Sequence, residues 1–150
     1  MDIRFYRLSR SSTVVRVARL AEQVVKIGHK ITIICPNDVS KVKISDAIWT
    51  NAEFLPHNVE GDDGLSKVSI ATEATDKHDI VFVVDDATFS TDIKAERICL
   101  MFHAADQDIV RSKRELWKKL SSEGDQISYW AENEMGAWNK EAESNTVVKN

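Results

Sequence analysis

The stretch from Asp2 to Cys35, DIRFYRLSRSSTVVRVARLAEQVVKIGHKITIIC, decides the fold. Its opening, Asp2 to Leu8, places apolar side chains among polar ones, which predicts a short strand. From Val14 to Ile27 the apolar residues recur at helical spacing, which predicts a helix with one buried face. Ile31 to Cys35 is apolar throughout, as in a strand that is covered on both faces. The stretch therefore predicts a strand–helix–strand unit with parallel strands and a right-handed crossover.

The remainder of the chain repeats these two patterns. Further helices are predicted at about Val39 to Trp49 and Ala105 to Ser122, and further strands at Lys67–Ala71, Asp79–Val84, Arg97–Phe102 and Gln126–Trp130. Together they predict an α/β fold, a single Rossmann-like domain with a mostly parallel sheet flanked by helices, over residues 1–130. Residues 131–150 are mainly polar, and we expect them to form a C-terminal tail that is partly disordered.

Composition and net charge limit the classes of protein to which this chain can belong. The chain has 150 residues, of which 43% are hydrophobic and 29% charged, as in an ordinary globular domain. It contains neither an apolar run of membrane-spanning length nor a signal-peptide pattern, so we expect a cytoplasmic protein without membrane contact. A formal net charge of −4 argues against direct coating of nucleic acid, so any contact with DNA is expected to be indirect. Cys35 and Cys99 each adjoin an apolar run, which predicts two buried, reduced thiols.

The motifs of catalysis and cofactor binding are missing from the local sequence. A dinucleotide site needs glycines in the first strand-to-helix turn, but that turn is Ser9 to Thr13 and has none. Asp85 and Asp86 follow a strand as in some nucleotide hydrolases, yet no Gly-rich loop with Lys-Ser or Lys-Thr accompanies them, so a solvated turn is the simpler interpretation. The four histidines lack metal-ligand spacing. We therefore expect no catalytic, cofactor or metal site, although triads assemble in space and local spacing does not test for them.

The predicted helix 105–122 carries a basic stripe. On a helical wheel Ile109, Leu116 and Leu120 share the expected core side, and a second face collects Arg111, Arg114 and Lys118, with Trp117 at its border. A charged stripe is often only a solvated helix face. Alternatively, arginine forks beside a tryptophan suit a short acidic peptide that carries an aromatic or carboxylate end.

A second unusual stretch is Ile44 to Asn58, ISDAIWTNAEFLPHN. A helix bearing Trp49 is predicted to end before Pro56, because proline cannot continue a helix and restricts the residue before it. The aromatic and apolar residues here, Trp49 with Phe54 and Leu55, either pack beneath the chain or are displayed to a partner.

In these features the chain resembles the chi subunit of bacterial DNA polymerase III. The matching residues occur in the family's order: Phe5-Tyr6, Gly28, Cys35, Ala47-Ile48-Trp49-Thr50, Phe54-Leu55-Pro56-His57-Asn58, and Arg114, Trp117 and Lys118 before Gly124. The resemblance covers roughly residues 1–130, and the segment from Trp49 to Asn58 is its most specific part.

The resemblance implies a non-catalytic adaptor that has no cofactor. Such a protein links the clamp loader to the acidic, Phe-ended C-terminal tail of single-stranded-DNA-binding protein. The tail site would use Arg114 and Lys118, with Trp117 where the family often has tyrosine. Leu116 stands where a further basic residue is common in the family, which implies a tail site that is either weaker or displaced toward Arg111.

A second surface, formed by Trp49 and the segment Phe54-Leu55-Pro56, would bind the psi subunit or another clamp-loader component. Two alternatives remain at this point. The strand–helix–strand opening and Asp85-Asp86 also fit a small Rossmann-like enzyme that binds a phosphate ligand. Trp49 and Phe54 equally fit an anchor in an adaptor of another assembly.

Overall fold

The computed structural model describes residues 2–51, 57–59, 67–73, 78–90, 93 and 95–144. Within these ranges the chain forms eight strands and three helices. In order they are β1 (Asp2–Leu8), α1 (Thr13–Lys26), β2 (Ile31–Ile34), α2 (Asp38–Asn51), β3 (His57–Asn58), β4 (Val68–Ala71), β5 (His78–Val84), β6 (Ala95–His103), α3 (Gln107–Ser122), β7 (Gln126–Glu132) and β8 (Trp138–Ser144).

The strands form one sheet in the order β3-β4-β2-β5-β6-β1-β7-β8. Every neighbouring pair is parallel except β7 and β8, which are antiparallel. The central strands are mainly apolar because helices cover both faces of the sheet. All four residues of β2 are buried. The predicted Rossmann-like α/β fold is confirmed.

Helix α1 forms as its sequence predicts. Ser12 caps its amino end, where the hydroxyl accepts a hydrogen bond from the backbone N–H of Val15 at 3.2 Å. Gly28 follows the carboxyl end with a φ of 99°, a left-handed conformation that glycine adopts without steric cost. The buried face of the helix carries Val17, Ala18 and Ala21.

Two cores lie on opposite faces of the sheet. The first is packed between the sheet and helices α1 and α2, and the second lies between the sheet and α3. Successive residues of β1 face alternate cores, so Phe5 belongs to the second and Tyr6 packs against the first. Cys35 and Cys99 are free thiols and buried, as predicted, and burial raises the pKa of Cys99 to about 12.

The sheet continues beyond residue 130. We expected a polar tail from residue 131, whereas β7 extends to Glu132 and Trp138–Ser144 pairs with it as the edge strand β8. The hydroxyls of Ser121 and Ser144 lie 2.9 Å apart and join α3 to this edge. Strand β8 was missed because all but one of its side chains are small or polar, and most are exposed. An edge strand with one solvated face lacks the apolar run that identifies an interior strand.

None of the helices in the described part of the chain is long and apolar enough to cross a membrane.

Candidate protein-interaction surfaces

A cleft opens where the carboxyl ends of β1, β6 and β7 meet the amino end of α3. Its volume is about 460 Å³, and it is lined by Arg7, Ser9, Ala104, Gln107, Val110, Arg111, Arg114 and Glu132. Ligands of open α/β sheets bind outside the carboxyl ends of the strands, which is the position of this cleft. We call it the arginine cleft.

Helix α3 supplies two of the three arginines. The Asp106 carboxylate caps the helix by accepting from the N–H of Ile109 at 3.2 Å. The helix buries Val110 and Leu120, among others, against the second core. Because residues three positions apart share a helix face, Arg111 and Arg114 project together from the exposed side into the cleft.

The third guanidinium belongs to Arg7, near the end of β1. It lies over the Tyr129 ring, with the guanidinium carbon 5.6 Å from the ring centre. Its Nη2 donates to the Glu141 carboxylate on β8 at 3.3 Å. Sequence reasoning missed Arg7, since a single arginine in a strand carries no local signal. The order of the strands brings it beside α3.

The other two predicted residues of the tail site do not line the arginine cleft. Trp117 is half-buried, and its ring meets Phe5 edge-on at 5.4 Å and Tyr129 at 5.9 Å. It packs against the second core. Lys118 is exposed on α3 next to it. The structure therefore brings together Arg111 and Arg114 of the predicted set, while Trp117 contacts Tyr129, the ring over which Arg7 lies.

Glu132, which also lines the cleft, is held by the turn between β1 and α1. Its carboxylate accepts hydrogen bonds from the N–H groups of Ser9, Arg10 and Ser11 at 3.2, 2.7 and 2.8 Å, and from the Ser11 hydroxyl at 2.7 Å. Burial by itself would raise the pKa of Glu132, but these bonds to Ser11, Arg10 and Ser9 lower it to about 2.

This turn is where Rossmann domains receive a phosphate. Here the protein's own carboxylate occupies the amide donors, so they are not available to a phosphate ligand. The lining of the arginine cleft contains three arginines and the single carboxylate of Glu132, so positive charge predominates in it. Three guanidinium groups around one cleft suit carboxylates, which they bind through paired hydrogen bonds.

A second candidate surface lies on α2. The helix buries Ile44, Ala47 and Ile48 against the first core, and it exposes 63% of Trp49. The Trp49 ring lies 5.0 Å from that of His57. Val42 is 60% exposed and borders a groove of about 460 Å³, together with Ser45 and Val59. We call this the Trp49 surface; it exposes the apolar side chains of Trp49 and Val42, and charged residues also line the groove. Exposed aromatic side chains are common anchors of protein interfaces. The other predicted residues, Phe54, Leu55 and Pro56, lie outside the described residues.

Asp85 and Asp86 lie at the end of β5 and border a wide cleft of about 1020 Å³ that also includes His103 and Asp106. Asp85 has a φ of 52°, which places it in a turn. Burial, followed by the neighbouring charges of Asp86 and Asp106, raises its pKa. Across the ranges that the structure describes, no group of three or more His, Cys, Asp or Glu side chains is arranged to hold a metal ion.

Comparison with known proteins identifies the family. The model of the family described as DNA polymerase III chi subunit, HolC, matches residues 1–128. The match spans the chain from β1 into β7 and includes α2 and α3, which carry the two candidate surfaces. No curated protein matches the chain significantly. Because the family model covers most of its length, the chain belongs to the DNA polymerase III chi subunit family.

Proposed function

We propose that this chain is a non-catalytic accessory subunit that links the clamp loader of DNA polymerase III to the C-terminal tail of single-stranded-DNA-binding protein. Family membership supports a place in the polymerase III complex during DNA replication. The observation that carries the linking role is the arginine cleft, a concentration of positive charge on a chain whose formal net charge is −4.

The chemistry of the arginine cleft matches an acidic peptide with a free carboxyl end. Arg7, Arg111 and Arg114 converge from a strand and a helix, so that more than one carboxylate can be bound at once. Lys118 lies outside the cleft and adds attraction at longer range. A short peptide makes few contacts, so we expect a micromolar dissociation constant that rises steeply with salt.

The Trp49 surface is proposed to bind the psi subunit or another clamp-loader component. Aromatic side chains at the centre of an interface contribute much of its binding energy. Trp49 projects from a helix whose opposite side is anchored in the first core, so it is presented on a rigid element. The Trp49 surface and the arginine cleft lie on different helices, which allows the protein to hold two partners at the same time.

The tail site is tested by titrating a fluorescent acidic peptide that ends in a free phenylalanine carboxylate. Arg114→Ala is expected to weaken binding by about ten- to hundred-fold, because a charge-assisted hydrogen bond contributes on the order of 1.5–3 kcal/mol. Lys118→Ala is expected to have a smaller effect. Arg19→Ala is a matched control, since Arg19 is exposed on α1, across the sheet from α3.

A peptide with an amidated C-terminus separates recognition of the terminal carboxylate from attraction by the acidic side chains. Equal affinities of the wild type, Arg114→Ala and Arg19→Ala would show that the arginine cleft is not the site. Failure of the wild type to bind at all would remove the proposed link to single-stranded-DNA-binding protein.

A further inference from the structure

Strand β8, which lies beyond the residues matched by the family model, places an acidic side chain against Arg7, one of the residues that line the arginine cleft. Arg7 Nη2 lies 3.3 and 3.4 Å from the two carboxylate oxygens of Glu141. The side chains of Arg7 and Glu141 are 27% and 46% exposed, so this is a solvated ion pair that water and other anions can reach.

A β-bulge gives Glu141 this position. Lys140 pairs with Trp130 and Ala142 pairs with Tyr129, so Glu141 is an extra residue with none opposite it on β7. Bulges of this type redirect side chains and are common beside functional sites. The bulge places the Glu141 carboxylate near Tyr129, the ring over which the Arg7 guanidinium lies.

The other acidic residue near the bulge faces the opposite side of the sheet. Glu143 accepts a hydrogen bond from Lys140 at 2.8 Å, and that ammonium group lies 5.7 Å from the Trp130 ring centre. Trp130 stacks on Tyr6, which packs against the first core, whereas Tyr129 packs against the second core. Glu143 is therefore a residue of the same charge on the same strand that does not reach the arginine cleft.

We infer that Glu141 is an internal competitor for Arg7, and that a carboxylate of the acidic peptide displaces it on binding. This inference rests on the proposed function of the arginine cleft and adds β8 to the site. The Tyr129 ring keeps the Arg7 guanidinium in place after Glu141 leaves, so the freed group accepts the incoming carboxylate without reordering. Breaking an exposed ion pair of this kind lowers peptide affinity by about two- to five-fold.

The same peptide titration tests the inference with four variants: Glu141→Gln, Glu143→Gln, Arg7→Leu, and Arg7→Leu combined with Glu141→Gln. Glu141→Gln is expected to tighten binding by about two- to five-fold, because Arg7 is no longer engaged. Glu143→Gln removes an equal charge from the same strand. If this variant gained as much peptide affinity as Glu141→Gln, the cause would be the change in overall charge and not the release of Arg7. Arg7→Leu keeps an apolar side chain against Tyr129, and in this background Glu141→Gln should give no gain.

Three results are possible. A gain specific to Glu141→Gln that disappears in the Arg7→Leu background supports the inference. Equal effects of Glu141→Gln and Glu143→Gln, or a gain that persists without Arg7, overturn it while the tail site itself stands. If the wild type and Arg114→Ala bind the peptide equally, the arginine cleft is not the peptide site and the inference fails with it, whereas the proposed function fails only if the wild type does not bind the peptide at all. Circular dichroism of each variant verifies that the fold is retained.

Discussion

The bonds between Glu132 and the β1–α1 turn predict a pH-dependent loss of stability in the variant Glu132→Gln. The side chain is only 4% exposed, and three backbone N–H groups and one hydroxyl donate to it. They lower its pKa from 4.5 to about 2 despite its burial. At about 1.4 kcal/mol for each pH unit, the ionised carboxylate stabilises the fold by about 3 kcal/mol at neutral pH.

The direction of the pKa shift determines the pH range in which Glu132 stabilises the fold. Because the folded protein has the lower pKa, this stabilisation is fully present above pH 4.5 and is lost as the pH falls toward about 2. Glutamine resembles the protonated acid, so the variant lacks the contribution at every pH. The free energies of unfolding of the wild type and the variant should therefore differ by about 3 kcal/mol at neutral pH and converge in acid.

Urea unfolding at a series of pH values measures this difference. Glu134→Gln is the control, since Glu134 is exposed and lies two residues along the chain. A loss in Glu132→Gln that did not change with pH would refute the electrostatic explanation. A loss as small as that of Glu134→Gln would show that the bonds to the turn contribute nothing net to stability.

Two aromatic substitutions distinguish core from surface positions, and one glycine substitution tests the turn after α1. Trp117→Ala should lower the free energy of unfolding by about 2–4 kcal/mol, because the Trp117 ring packs on Phe5 and Tyr129. A change below about 1 kcal/mol in urea unfolding would contradict this packing role. Trp49→Ala should leave the thermal midpoint nearly unchanged and lose a clamp-loader partner in pull-down, and unfolding would instead place Trp49 in the core. Gly28→Ala should cost about 1 kcal/mol because its φ is 99°, and an unchanged midpoint would mean that the turn adapts.

Local sequence patterns predicted much of the fold. The spacing of apolar residues within one strand or helix indicates which of its faces is buried. It therefore predicted β2 and β5 from their apolar runs, and α1 and α3 from their helical periodicity. The same patterns located Arg111 and Arg114 on one helix face. They placed Trp117 at the edge of the basic stripe, where the structure packs its ring on Phe5 instead.

What the sequence by itself determined about this protein is its class, its family resemblance, its main elements and the basic face of α3. The tertiary structure alone decided which residues share the arginine cleft. Arg7 lines the same cleft as Arg111 of α3, and Glu132 contacts the turn at Ser9, because β1 lies between β6 and β7 in the sheet. Such contacts join residues more than a hundred positions apart, and they depend on strand order. Hydrophobic periodicity reports only which side of an element is buried, so it carries no information about which elements become neighbours.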